Sequence, residues 1–169
     1  MNDSERLRNE RLIFYQDDIE QISRVLKEQI EMSGARCALL IDKEGHLVAR
    51  EGAVRSFDTD ALSALVAGSF AATKEMARMV GEDEFSVMFH QGQRDNLQLT
   101  LVDDRTILTV IFDDQTQLGM IRLYAHEAVK QLQAVFEKAA SKDRDGEEIE
   151  LDKDFATAGK AHLDDLFND

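Results

Sequence analysis

The stretch Asp58 to Phe85, DTDALSALVAGSFAATKEMARMVGEDEF, constrains the fold most, because it reads as a long helix that is apolar on one face and lined with alanine and glycine on the other. At about 100° per residue, Leu62, Leu65, Val66, Ser69, Thr73, Met76 and Val80 share one stripe, while Ala64, Ala67, Gly68 and Ala71 share the back. A surface helix ordinarily turns charge to water on that back. Alanine's helix propensity accounts for alanines at exposed positions. Gly68 asks for more, since a mid-helix glycine costs roughly 0.5–1 kcal/mol against alanine; it points to a surface that another backbone approaches closely. Asp58 is the predicted N-cap, worth roughly 1 kcal/mol, and Gly81 the C-terminal stop.

Around this helix the remaining elements follow from periodicity. Leu12, Tyr15, Ile19, Ile22, Leu26 and Ile30 recur at helical spacing up to Gly34. Arg36 to Asp42 and His46 to Arg50 flank Lys43-Glu44-Gly45 and read as a hairpin whose glycine takes a positive φ. Phe85, Val87 and Phe89 alternate with polar neighbours, Leu97, Leu99 and Leu101 alternate with Gln98 and Thr100, and Ile107 to Phe112 is apolar enough for a strand covered on both faces. A final helix runs from about Thr116 to Ala140 with Leu118, Ile121, Ala125, Ala128, Val129, Leu132, Val135 and Phe136 on one side. The order predicts an α+β domain, an antiparallel five-stranded sheet with helices on both faces.

The 169 residues thus divide into a domain over 1–141 and an acidic tail over 142–169. Lys142 to Asp169 holds ten acidic residues against four basic ones, a large share of the net charge of −14. Composition predicts disorder for Lys142 to Asp154, with Phe155, Leu163, Leu166 and Phe167 able to form a short amphipathic helix. The overall charge repels phosphate polyanions, which excludes non-specific nucleic-acid and anionic-membrane binding. No segment reaches the ~18 apolar residues of a membrane span. Cys37, the single cysteine, lies in the apolar run Cys37 to Ile41 and reads as a core thiol of a reducing, cytoplasmic compartment.

Chemical motifs are missing. The chain has neither G-x-x-x-x-G-K-[ST] nor G-x-S-x-G. His126-Glu127 opens like a zinc-protease helix, but Lys130 stands where the second histidine is needed. Asp103-Asp104 and Asp113-Asp114 sit at strand ends, where turn chemistry explains aspartate. His46, His90 and His162 lack companions at metal-ligand spacing, and Cys37 lacks a histidine partner. The expectation is a non-enzyme with no catalytic residue, metal, cofactor or small-molecule substrate.

Several short pieces together carry a family resemblance: Leu40-Ile41-Asp42-Lys43-x-Gly45, Asp58-Thr59, Leu62, Leu65, Ala67-Gly68, Ala71-Ala72, Gly81-Glu82-x-Glu84-Phe85, Phe89-His90-x-Gly92, Val110-Ile111-Phe112-Asp113, Thr116, Leu118-Gly119 and Arg122-Leu123. They resemble the MglB group of the roadblock family, bacterial partners of the Ras-like GTPase MglA. The likeness runs from the first helix to about Ala140. It implies a roadblock fold with strand order 2-1-5-4-3, one helix on one sheet face and two on the other, and a homodimer whose third strands pair into a continuous sheet. Phe85, Val87 and Phe89, with Ala64 and Gly68, would form the dimer interface. The unpaired apolar edge strand independently asks for such cover.

The resemblance also implies a function: a homodimer binds the GTP form of an MglA-like small GTPase and accelerates hydrolysis without an arginine finger, by reorganising the GTPase's own catalytic residues, in control of cell polarity or motility and with concentration at a cell pole. Ala64, Ala67, Gly68, Ala71, Ala72 and Glu75 are then the GTPase-binding residues, Ala71 and Glu75 carried over by position. Glu75 departs from the small residue expected there. A non-catalytic roadblock scaffold and a profilin-like or sensor-like ligand-binding domain are the rival readings, since a fold does not settle function.

Overall fold

The computed structural model describes residues 14–53 and 57–166, with side chains described as far as Lys142. Helix α1 (Gln16–Ser33) leads into strands β1 (Cys37–Asp42) and β2 (Leu47–Gly52); helix α2 (Thr59–Met79) follows, then β3 (Val87–Gln91), β4 (Asp95–Leu101), β5 (Thr106–Asp113) and helix α3 (Leu118–Leu166). All five strands pair antiparallel in the order β2-β1-β5-β4-β3. β1 and β5 are central and buried almost throughout, which explains their continuous apolar runs.

Leu39, Ile41, Leu99 and Ile107 face α2 and pack with its Val66 and Phe70. On the other face Ala38, Leu40, Leu108, Val110 and Phe112 are buried, where α1 contributes Ile22 and Leu26 and α3 contributes Ile121, Ala125 and Leu132. The fold is therefore the expected roadblock arrangement of five strands and three helices. Gln133 Nε2 donates to the Val102 carbonyl at 2.6 Å and anchors α3 to the β4–β5 turn.

Local chemistry fixes the turns. Asp58 accepts from the Asp60 and Ala61 amides and caps α2 as expected. Gly81, at φ +88°, ends the last turn of the helix, and its N–H donates to the Arg78 carbonyl. Asp103 Oδ1 accepts from the Arg105 and Thr106 amides and the Thr106 hydroxyl, and Asp113 Oδ1 from the Gln115 amide, so one carboxylate of each predicted pair is engaged in its own turn. The hairpin tip is more specific: Gly45 has φ +96°, and a Cβ there would lie 3.0 Å from Ala64 Cα. The β1–β2 hairpin thus rests on the backbone of α2.

Three local expectations need correction. The strand predicted from Phe85 begins at Val87, because Phe85 sits in the loop closing α2; Ser86 nevertheless accepts from the Leu101 amide. The core stripe of α2 is rotated from the predicted one: Ser63, Val66, Ala67, Phe70 and Ala77 are buried, whereas Leu65, Met76 and Val80 are exposed. Phe70, the largest side chain of the helix, selects the arc that meets the sheet. α3 continues to Leu166, past the predicted end at Ala140, so Lys142 to Asp154 is helical where composition predicts disorder.

The chain separates into two units, residues 16–135 and the remainder. The first contains the sheet, α1, α2 and the start of α3. In the second, the rings of Phe14 and Phe136 lie 5.3 Å apart, tilted. Leu12 of the predicted first helix, and the side chains of Phe155, Leu163, Leu166 and Phe167, lie outside the described residues.

Candidate functional site

The outward face of α2 is where this chain departs from an ordinary surface. Ala61, Leu65, Gly68, Ala72, Met76 and Met79 follow one another at intervals of three and four and share one arc opposite Phe70. All six are exposed, Leu65 by 72 %, Met76 by 58 % and Met79 by 87 %. A Cβ added at Gly68 would meet nothing within 4 Å. The stripe is apolar and small where a solvated helix face is charged, and its i, i+3, i+4 spacing suits a facing helix.

The predicted site residues fall into separate groups. Gly68, Ala71, Ala72 and Glu75 are exposed on this side of the helix. Ala67 is not: it is 7 % exposed and faces inward, a correction to its place among the partner-facing residues. Its 240° offset from Ala61 on the wheel, at about 100° per residue, puts it on the flank of the buried arc. Ala64 is exposed but receives the hairpin tip at Gly45, so its smallness already has an intramolecular cause. Glu75 accepts from Arg78 at 2.9 Å, an exposed i, i+3 pair of the kind that contributes little. Val87 at the β3 edge is 44 % exposed, while Phe85 and Phe89 are half-buried.

Sequence reading missed Leu65 and Met76 as outward residues by assigning them to the core stripe, and left Met79 unassigned. The signal was present, since Phe70 and Ala77 define a competing arc. Leu65 also lines a largely apolar cleft of about 410 Å³ with Leu62, Leu97 and Ile111, and Arg36 and Asp95, which pair with each other, line it as well. α2 leaves this part of the sheet face uncovered.

The Gly81-Glu82-x-Glu84-Phe85 segment positions the end of α2. Glu82 N–H donates back to the Ala77 carbonyl, and Glu84 pairs with Lys43 at 2.7 Å with both partners half-buried. Lys43 N–H in turn donates to the Arg105 carbonyl. Hairpin tip, helix end and β4–β5 turn are thus tied together around α2. Asp42, Glu44 and His46 bring their ligand atoms within 4.8 Å at the hairpin tip, a grouping the sequence reading did not find. His46 Nδ1 lies 3.1 Å from Asp42 Oδ2 there, so the group completes its own turn. Burial pushes the Cys37 thiol up to about 11, which makes it a poor nucleophile.

Residues 21–112 match the family model described as the Roadblock/LC7 domain. The chain belongs to the Roadblock/LC7 family. Among solved structures it is similar to Myxococcus xanthus MglB, with 36 % identity, a TM-score of 0.71, and coverage of 76 % of this chain and 96 % of that one. The gliding protein MglB from Thermus thermophilus is alike at 34 % identity and a TM-score of 0.70, over 75 % of this chain and 96 % of that one. An uncharacterized protein of Methanocaldococcus jannaschii is 26 % identical over 117 residues, 68 % of this chain and 99 % of its own length. Within the roadblock family the chain is MglB-like, as the short motifs imply. Among the described residues no helix is long and apolar enough to cross a membrane.

Proposed function

We propose that this roadblock protein is the GTPase-activating partner of an MglA-like Ras-family GTPase, acting as a homodimer in control of cell polarity or motility. The observation that carries the reading is the outward face of α2, a row of small and apolar side chains exposed on a chain of net charge −14. Apolar surface left in water costs roughly 25 cal/mol per Å², so a contiguous row of this kind marks a contact surface. The MglB-like sequence and fold support that choice of partner class.

Two surfaces divide the work. The β3 edge, with Val87 exposed and one row of backbone groups unpaired, takes a second copy of the chain and extends the sheet. The α2 stripe then lies beside its twin, and Gly68, Ala71, Ala72 and Glu75 meet the GTPase. Phosphoryl transfer is catalysed by positioning and charge stabilisation, so a surface without catalytic groups accelerates it by holding the GTPase's switch segments in their active arrangement. It does so only by its difference in affinity for the two switch states.

Single-turnover GTP hydrolysis by the MglA-like GTPase of the same organism, with and without this chain, tests the reading. Hydrolysis speeds up in its presence, and the chain alone hydrolyses no GTP. Binding to the GTP form with an unchanged hydrolysis rate would instead identify a scaffold.

A further inference from the structure

The cleft beside α2 lies at the N-terminal end of that helix, where Leu62 and Leu65 stand with Leu97 of β4 and Ile111 of β5 around about 410 Å³. The charged groups that line it are already engaged: Arg36 pairs with Asp95, and Asp58 caps the helix. What the cleft offers an occupant is therefore apolar surface.

α2 turns an apolar flank the same way. With Ala61 set at 0° and about 100° per residue, Leu65, Ser69, Met76 and the C-cap Val80 fall between roughly 40° and 100°, whereas Ala64 falls near 300°. Ala64 carries the tip of the β1–β2 hairpin, so its side of the helix overlooks β2, and the opposite flank overlooks β4 and β3. On that flank Leu65 and Met76 are exposed, and Val80 is exposed by 69 %. Large apolar groups thus stand at both ends of the flank, with the smaller Ser69 between them.

Pairing at the β3 edge brings flank and cleft together. When β3 joins its copy antiparallel, the sense of all four strand pairs in this sheet, the two-fold axis stands perpendicular to the sheet. It keeps both α2 helices on one face and runs them in opposite directions, so the N-terminal end of each lies beside the C-terminal end of the other. We propose that Met76 and Val80 of one protomer fill the cleft of its partner, against Leu62, Leu65 and Leu97, and that the reciprocal pair of sockets sets the register of the two helices. The contact is self-complementary, as a two-fold interface requires, and methionine suits an irregular socket. This inference rests on the homodimer reading above and adds a register to it.

Sedimentation equilibrium of the full chain with Leu65→Glu, Val80→Lys and both substitutions tests the register. The two positions stand ~22 Å apart along their own helix at 1.5 Å per residue, so they couple only between copies. Each single substitution raises the dimer dissociation constant about tenfold or more, and the double variant recovers about threefold or more of the summed loss. In a Cys37→Ala background, oxidation of the Leu65→Cys/Val80→Cys chain gives a covalent dimer, which needs Cα atoms within about 7 Å; Leu65→Cys alone and Ala71→Cys alone give none. A dimer that neither single substitution weakens, or strictly additive losses without the cross-link, overturns the register and leaves the homodimer reading standing. A parent chain that stays monomeric at every concentration overturns both.

Discussion

Gly68→Ala separates the two demands on α2, because the same methyl has opposite signs in the chain alone and in a contact. Within one chain the new Cβ meets nothing within 4 Å, so no clash opposes the gain in helix propensity. That gain is about 0.5–1 kcal/mol, equivalent to roughly 1–4 °C in the unfolding midpoint of a domain this size. At a close-packed interface the methyl acts as overpacking, costing about 1–3 kcal/mol, or roughly 5- to 150-fold in affinity. Urea unfolding at several protein concentrations reads the first quantity; the intrahelical gain is the same at every concentration, whereas loss of a dimer contact grows as concentration rises. Single-turnover hydrolysis by the proposed GTPase partner reads the second, with the half-saturating concentration of the variant raised by that factor. A variant that is more stable and stimulates hydrolysis like the parent would refute the claim that glycine is retained for contact.

Three further substitutions probe other levels of the same structure. Ala71→Arg, at an exposed position, leaves the far-ultraviolet spectrum and unfolding midpoint unchanged but removes capture of the GTP-loaded partner in a pull-down. Gly45→Ala, with φ +96° and a Cβ 3.0 Å from Ala64 Cα, loses about 2–4 kcal/mol in urea unfolding, from left-handed backbone strain and contact with the helix backbone. Cys37, raised from 9.0 to about 11 by burial, makes the native state hold its proton longer than the unfolded chain; this stabilisation is complete below pH 9 and is lost as pH rises through 11. Removing it with Cys37→Ala flattens the alkaline fall in stability between those values by about 2 kcal/mol.

The identity and sequence of the strands and helices were legible because each rests on a local signal that tertiary packing does not overrule, whereas the strand order came from the family resemblance. Ile107 to Phe112 can only be a central strand, and the Gly45 hairpin and Asp58 cap are fixed by backbone chemistry within a few residues. The rotation of α2 was less legible because both of its faces are apolar. When Leu65, Met76 and Val80 compete with Val66, Phe70 and Ala77, periodicity alone offers two stripes, and the shape of the sheet chooses between them. Gln98 failed for a related reason. Alternation along Leu97 to Leu101 assigns polar residues to water, yet α3 covers that face too and buries Gln98 and Thr100. An alternating strand in a three-layer domain does not tell which of its faces remains wet.

The corrected rotation changes what the small residues of α2 mean. Read as one ridge, Ala64, Ala67, Gly68 and Ala71 seem to share a single purpose, but the structure gives the first two intramolecular causes: Ala67 is buried, and Ala64 lies beneath Gly45. Neither therefore counts as evidence for a partner. What remains is narrower, with Gly68, Ala71 and Ala72 exposed and no packing reason for their size. Leu65, Met76 and Met79 extend that strip in both directions along the helix. Large apolar side chains at its ends with small ones in the middle make a saddle, which lets a crossing element approach closely at the centre while the ends hold it laterally. Lys43–Glu84 and Gly45–Ala64 brace the helix from the inner side, so the saddle is presented on a fixed element. A partner that must be held in one conformation needs that rigidity, since a yielding surface would accommodate both switch states and discriminate neither.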